Sequence, residues 1–107
     1  MTIEQTNVVD FIGIEADTNS VILAISDHLD SKFNEENHVE LLRNKINNYL
    51  EYIESGEIYV QFPKYKGKKI VISIAHKYQI TERILLFYRN VGITLKSIGV
   101  EIRYFLL

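Results

Sequence analysis

The spacing of apolar and polar positions changes several times along this chain, and each change predicts an element. From Asn34 to Gly56 the apolar residues Val39, Leu42, Ile46, Tyr49, Leu50 and Ile53 step by three and four, which gathers them on one stripe of a helix. Asn34 or Asn37 can cap its start, Asn37 and Glu40 are spaced like a capping box, and Ser55-Gly56 ends it. The opposite face carries Glu36, Glu40, Arg43, Asn47, Glu51 and Glu54, so it is wet and mostly acidic.

The flanking segments read differently. Val8–Ile14 and Val21–Ser26 are β-branched runs separated by the turn cluster Asp17–Ser20, which predicts an antiparallel hairpin. Asp27–Phe33 is a polar loop leading into the helix. Glu57–Gly67 alternates at Ile58, Val60 and Phe62, but Pro63 and the lysines predict a loop or short edge segment. Lys69–Tyr78 is the clearest strand, with Ile70, Ile72, Ile74, His76 and Tyr78 on one face and Val71, Ser73 and Ala75 on the other. Thr81 caps a second helix to about Ile98, with Ile84, Tyr88, Val91, Leu95 and Ile98 in helical spacing and Gly99 at its end. Gly92 inside that helix implies close packing against a neighbour. Val100–Leu107 is a final strand with Val100, Ile102, Tyr104 and Leu106 facing the core.

The order ββαβαβ predicts an α+β fold: a two-layer sandwich with a four-stranded mixed sheet and two helices on one face. Residues 1–107 are expected to form a single domain. Its uncovered sheet face would show Ile22, Ala24, Val71, Ser73 and Ala75.

Composition narrows the chemistry. With no cysteine, disulfides, thiolate metal sites and cysteine nucleophiles are excluded. No window approaches the ~20 apolar residues of a membrane span, and MTIEQTN lacks the basic start of a secretory signal, so a cytoplasmic protein with no membrane contact is expected. The net charge of −2 is unevenly spread. Residues 1–62 hold 12 acids against 3 bases, a net of −9, and residues 63–107 hold 9 bases against 2 acids, a net of +7. The halves can attract one another within the fold, or the acidic half can face a basic partner.

Asp27-His28-Leu29-Asp30 is the most chemical-looking cluster. Two carboxylates and an imidazole can bind a divalent ion or act as acid and base, but their spacing matches no established metal motif. Loop aspartates beside a helix start are caps and turn formers. His76 reads as a core histidine bonded to backbone, and His38, in a helix's first turn, as a surface residue. Lys64, Lys66, Lys68 and Lys69, interleaved with Phe62 and Tyr65, read as a solvated basic loop rather than a nucleic-acid site. No glycine cluster forms a phosphate-binding loop. No catalytic residue, metal ligand or cofactor is therefore assigned.

The stretches ISDHLD (Ile25–Asp30), KINNYLEYIESGEIY (Lys45–Tyr59) and KGKKIVISI (Lys66–Ile74) resemble an uncharacterised family of small bacterial proteins. The resemblance covers most of the chain and departs at Ser31-Lys32-Phe33, where the family places an aromatic residue soon after the DHLD run. The chain also looks like an immunity protein of a contact-dependent growth inhibition or related polymorphic-toxin system. That resemblance implies a non-enzymatic inhibitor that blocks the active site of a cognate toxin domain, expected to be a basic nuclease such as an RNase, without touching nucleic acid itself. The expected contacts are the acids Asp27, Asp30, Glu35, Glu36 and Glu40 with the aromatic anchors Phe33, Tyr52 and Tyr59, and Tyr65 beside them. A monomer or weak dimer is expected. Two alternatives stand beside this reading: a small metal-dependent hydrolase centred on Asp27, His28 and Asp30, and a homodimeric structural domain pairing through its open sheet face.

Overall fold

The alternating β-branched runs and the two amphipathic helices build one mixed sheet with helices packed on it. The structure, a computed structural model, describes residues 11–30 and 34–107. Its elements are strand β1 (Phe11–Glu15), strand β2 (Ser20–Asp27), helix α1 (Glu35–Glu54), short helix α2 (Glu57–Gln61), a 3-10 turn (Pro63–Tyr65), strand β3 (Ile70–His76), helix α3 (Glu82–Ser97) and strand β4 (Val100–Leu106). The sheet order is β1-β2-β3-β4, antiparallel between β1 and β2 and parallel across β2-β3-β4. This is the predicted α+β sandwich with its four-stranded mixed sheet. Residues 8–10 of the expected first strand, together with Phe33, lie outside the described residues.

Both parallel crossovers run through a long helix, and right-handed connections in one direction place both helices on the same face. Burial agrees. Val21, Leu23 and Ile25 of β2 and Ile70, Ile72 and Ile74 of β3 form one core with Leu42, Ile46 and Tyr49 of α1 and Ile84, Tyr88 and Leu95 of α3. Asn34 caps α1 by accepting from the Asn37 amide at 3.0 Å, so the alternative box at Asn37 and Glu40 is not used. Thr81 caps α3 as expected, accepting from the Ile84 amide at 3.3 Å.

The segment after α1 differs from expectation. Gly56 sits at φ 81, a left-handed conformation that turns the chain sharply, and Glu57–Gln61 then forms one helical turn rather than a loop or edge segment. Its alternation of Ile58, Val60 and Phe62 reflects a helix too short to show its period: Ile58 is buried and Val60 is 80% exposed. Tyr65 is buried too and stacks on Phe62 at 5.0 Å between ring centroids, so it is a core residue rather than an anchor for a partner. Close packing at Gly92 holds: a Cβ there would lie 3.4 Å from the Ile102 Cγ2.

The far sheet face is partly strapped. Arg103 on β4 reaches diagonally over the middle strands to Glu15 on β1, 2.8 Å away. Val71 beneath is 1% exposed. Along β4 the core-facing side is buried only at its start, for Tyr104 and Leu106 are exposed.

Candidate functional site

Four polar side chains meet at the carboxyl ends of the parallel strands, each at a position where an apolar pattern runs on by one more step. Asp27 continues Val21, Leu23 and Ile25; His76 continues Ile70, Ile72 and Ile74. His38 stands one turn before Leu42 on α1, and Tyr88 one turn after Ile84 on α3. The register pairs Asp27 with His76, so the two side chains lie side by side on the helix-covered face.

Asp27 Oδ2 is 2.5 Å from His38 Nε2 and 3.1 Å from His76 Nδ1, and Asp27 Oδ1 accepts from the Leu29 amide at 3.0 Å. His76 Nε2 lies 2.6 Å from the Tyr88 hydroxyl, and the Tyr88 ring stacks on Tyr104 at 4.5 Å. The aspartate and both imidazoles are 1–3% exposed. With the carboxylate ionised, both ring nitrogens facing Oδ2 donate to it, and His76 Nε2 is then free to accept the Tyr88 O–H. Burial pushes the Asp27 carboxyl up, but hydrogen bonds from His38, His76 and the Leu29 amide, with the charge of His38, outweigh it and hold the group down at about 2. Burial, then the Asp27 charge and Tyr104, push the Tyr88 phenol far above its usual value, so it stays protonated.

A second polar group lies deeper along the same helix stripe. Lys45 is fully buried with its ammonium 5.4 Å from the Tyr49 ring centroid, and the Tyr49 hydroxyl donates to the Ala24 carbonyl at 2.8 Å. This ties α1 directly to β2.

Above the cluster, an open groove of about 1080 Å³ runs along the strand ends, lined by Asp30, Glu35, Lys77, Tyr78, Thr81 and Leu107 among others. The capped starts of α1 and α3 border it. Ligands in sheets with parallel strands gather at such strand ends.

The alternative trio of Asp27, His28 and Asp30 is spread over three environments. Asp27 points into the core, His28 is exposed, and Asp30 lines the groove. The structure brings His38 and His76 to Asp27 instead. His38 is thus not a surface residue, and His76 bonds side chains rather than backbone. Both corrections have one cause: the buried carboxylate requires donors that the strand ends cannot supply.

The expected docking residues separate. Asp27 drops out, since it is 1% exposed and its oxygens are engaged. Asp30 and Glu35 line the groove, half-buried. Glu36 and Glu40 are exposed on α1 and pair with Arg83 at 3.5 Å and Arg43 at 2.5 Å. Tyr52 and Tyr59 lie near the other end of the helix, half-buried against the core, and the Tyr52 hydroxyl donates to Gln61 at 2.5 Å. Around them Glu51, Glu54 and Glu57 are exposed.

Fold and site together define a small α+β protein with a buried carboxylate–imidazole cluster under a groove at its strand ends. Over residues 1–107 the chain matches the family described as "Family of unknown function (DUF6572)", and it belongs to that family. This agrees with the resemblance to an uncharacterised family. No curated protein and no solved structure matches the chain. No helix among the described residues is long and apolar enough to cross a membrane.

Proposed function

We propose that this protein is a recognition module of the immunity type, which binds a basic toxin domain and blocks it by charge and shape complementarity. The observation that carries this reading is the distribution of acids. Asp27, the carboxylate with the strongest chemical setting, is consumed inside the fold, while Glu36, Glu40, Glu51, Glu54 and Glu57 stand exposed along α1 and the start of α2. Complementary fields of this kind steer association and set specificity.

The charge split refines the docking face. Among the described residues two ion pairs join the acidic half to the basic half, Glu36–Arg83 and Glu15–Arg103, so part of the asymmetry is internal. Glu40 is likewise offset by Arg43. The far end of α1 keeps its charge: none of Glu51, Glu54 and Glu57 takes part in an ion pair among the described residues. Tyr52, Tyr59 and the 80%-exposed Val60 supply apolar surface beside them. A standard interface takes about 800 Å² from each partner. The α1–α2 corner is the natural centre of such a patch.

The test is to find whether a toxin domain is encoded beside this gene and to co-express the two; a neighbourhood without one counts against the reading. The reading expects a one-to-one complex on size-exclusion chromatography and rescue of cells expressing the toxin. Failure of that toxin to bind overturns it.

A further inference from the structure

We infer that Asp27, His38 and His76 form a binding site for a zinc-class divalent ion, one that staples α1 to β2 and β3. The inference goes beyond the docking reading and does not depend on it.

Three observations converge. The donor types are those of a zinc site, two imidazoles and one carboxylate, and their ligating atoms lie within 4.8 Å of one another. All three residues are 1–3% exposed, so an ion there would be shielded from bulk water. The outer ring nitrogen of His76 is held by Tyr88 at 2.6 Å, the kind of partner that fixes the tautomer and orientation of a ligating histidine.

The two Asp27 separations lie within an ångström of a tetrahedral shell, and the two imidazole nitrogens lie within 4.8 Å of each other. Zinc bonds of 2.0–2.2 Å put tetrahedral ligand atoms roughly 3.3 Å apart. Asp27 Oδ2 and His76 Nδ1 are already at 3.1 Å, and His38 Nε2 must draw back from 2.5 Å. His38 lies at the start of α1, four residues after the cap Asn34, and its amide donates the first helix bond to the Asn34 carbonyl at 3.0 Å, so a rotation of its side chain supplies the shift with the backbone in place.

The proton balance is also closed. Without an ion, the two N–H groups facing Oδ2 satisfy the carboxylate by hydrogen bonding. With an ion, His38 Nε2 and His76 Nδ1 present lone pairs and each ring carries its proton on the other nitrogen. The Tyr88 oxygen then accepts from His76 Nε2 instead of donating to it. A water completes the four-coordinate shell.

The experiment titrates zinc into chelator-stripped protein in competition with a chromophoric chelator. One ion per chain is expected, with micromolar or tighter affinity. His38→Gln and His76→Gln should each weaken binding at least tenfold, Tyr88→Phe by about 10-fold or more through loss of its support to His76, and His28→Ala not at all. Absence of a micromolar site in the unaltered protein overturns the inference. So does binding that survives both glutamine substitutions. Should those variants fail to fold by circular dichroism, X-ray absorption of the zinc-loaded unaltered protein decides: two imidazoles and oxygen donors support the site, and any other shell refutes it.

Discussion

Asp27 and Glu40 are both carboxylates paired with a cationic or protonatable side chain at 2.5 Å, yet they lie in opposite environments. Asp27 is buried at the end of β2 and collects three donors, from His38, His76 and the Leu29 amide. Glu40 stands on the wet face of α1, and its one arginine partner is three residues away on the same helix. In the interior an unpaired charge has no water to fall back on, so every donor is needed and removal of one group strands the others. On the surface water replaces a lost partner, and the pair contributes little to stability. The same chemical group therefore fixes the fold in one place and contributes little to it in the other.

The largest break of this contrast is expected from Asp27→Ala, which leaves two imidazoles without their acceptor. It should cost about 3–5 kcal/mol in urea unfolding, as breaking a buried pair does. Ile46→Ala, fully buried beside the same stripe, should cost about 2–5 kcal/mol by opening a cavity. A loss from Glu40→Ala comparable to either would erase the distinction between the two regions.

Acid should act most on the buried region, with a smaller effect at Glu15, whose carboxyl the Arg103 hydrogen bond also holds below its usual value. The folded pKa of Asp27, about 2, lies below its ordinary value of 3.8, so the folded state holds its proton less tightly than the unfolded chain. Its contribution is complete above pH 4 and is lost as pH falls through about 2; the full loss is about 2 kcal/mol. Unfolding followed from pH 5 to pH 2 should show this decline in the unaltered protein and a flatter one in a folded Asp27→Asn variant.

Tyr88→Phe removes one hydroxyl from the His76 side of the cluster and should cost about 1–3 kcal/mol, the range for a buried group left without its partner. The smallest effects belong to the outer face: Glu36→Lys, Glu40→Lys and Glu54→Lys should each change stability by no more than about 0.5 kcal/mol.

How much of this was legible in the sequence follows from where polarity interrupts a pattern. The strands, α1 and α3 were readable because Val21-Leu23-Ile25, Ile70-Ile72-Ile74, Leu42-Ile46-Tyr49 and Ile84-Tyr88-Leu95 keep strict periods. Short helix α2 was not, because five residues give too little length to separate a helical period from an alternating one. The cluster was missed for a different reason. His38, Leu42, Lys45 and Tyr49 form a stripe stepping by four, three and four, so the helical period had already placed His38 and Lys45 on the buried side. The place of His38 in the first turn, where a cation is disfavoured, points to the surface instead, and the period of the stripe is the stronger signal. That Asp27 and His76 are partners depends on the parallel register between β2 and β3, which local sequence does not encode.

Outside, the comparison can be sharpened between two ends of one helix. Glu36 and Glu40 are offset by Arg83 and Arg43, whereas Glu51, Glu54 and Glu57 are not engaged in ion pairs among the described residues. Reversal at the far end should therefore slow association with the toxin domain more than reversal at the near end. Truncation of Tyr59 should instead speed dissociation, with little dependence on salt.

The central claim is that the exposed acids of α1 and α2 serve recognition, and the association rate constant against ionic strength tests it most directly. Stopped-flow mixing of this protein with the basic toxin domain proposed as its partner should show association slowing steeply between 0.1 M and 1 M salt, as the screening length falls from ~10 Å to ~3 Å. The Glu54→Lys, Glu57→Lys double variant should begin slower and converge on the unaltered protein at high salt. Association that is indifferent to salt, or a double variant as fast as the unaltered protein at every ionic strength, would contradict it.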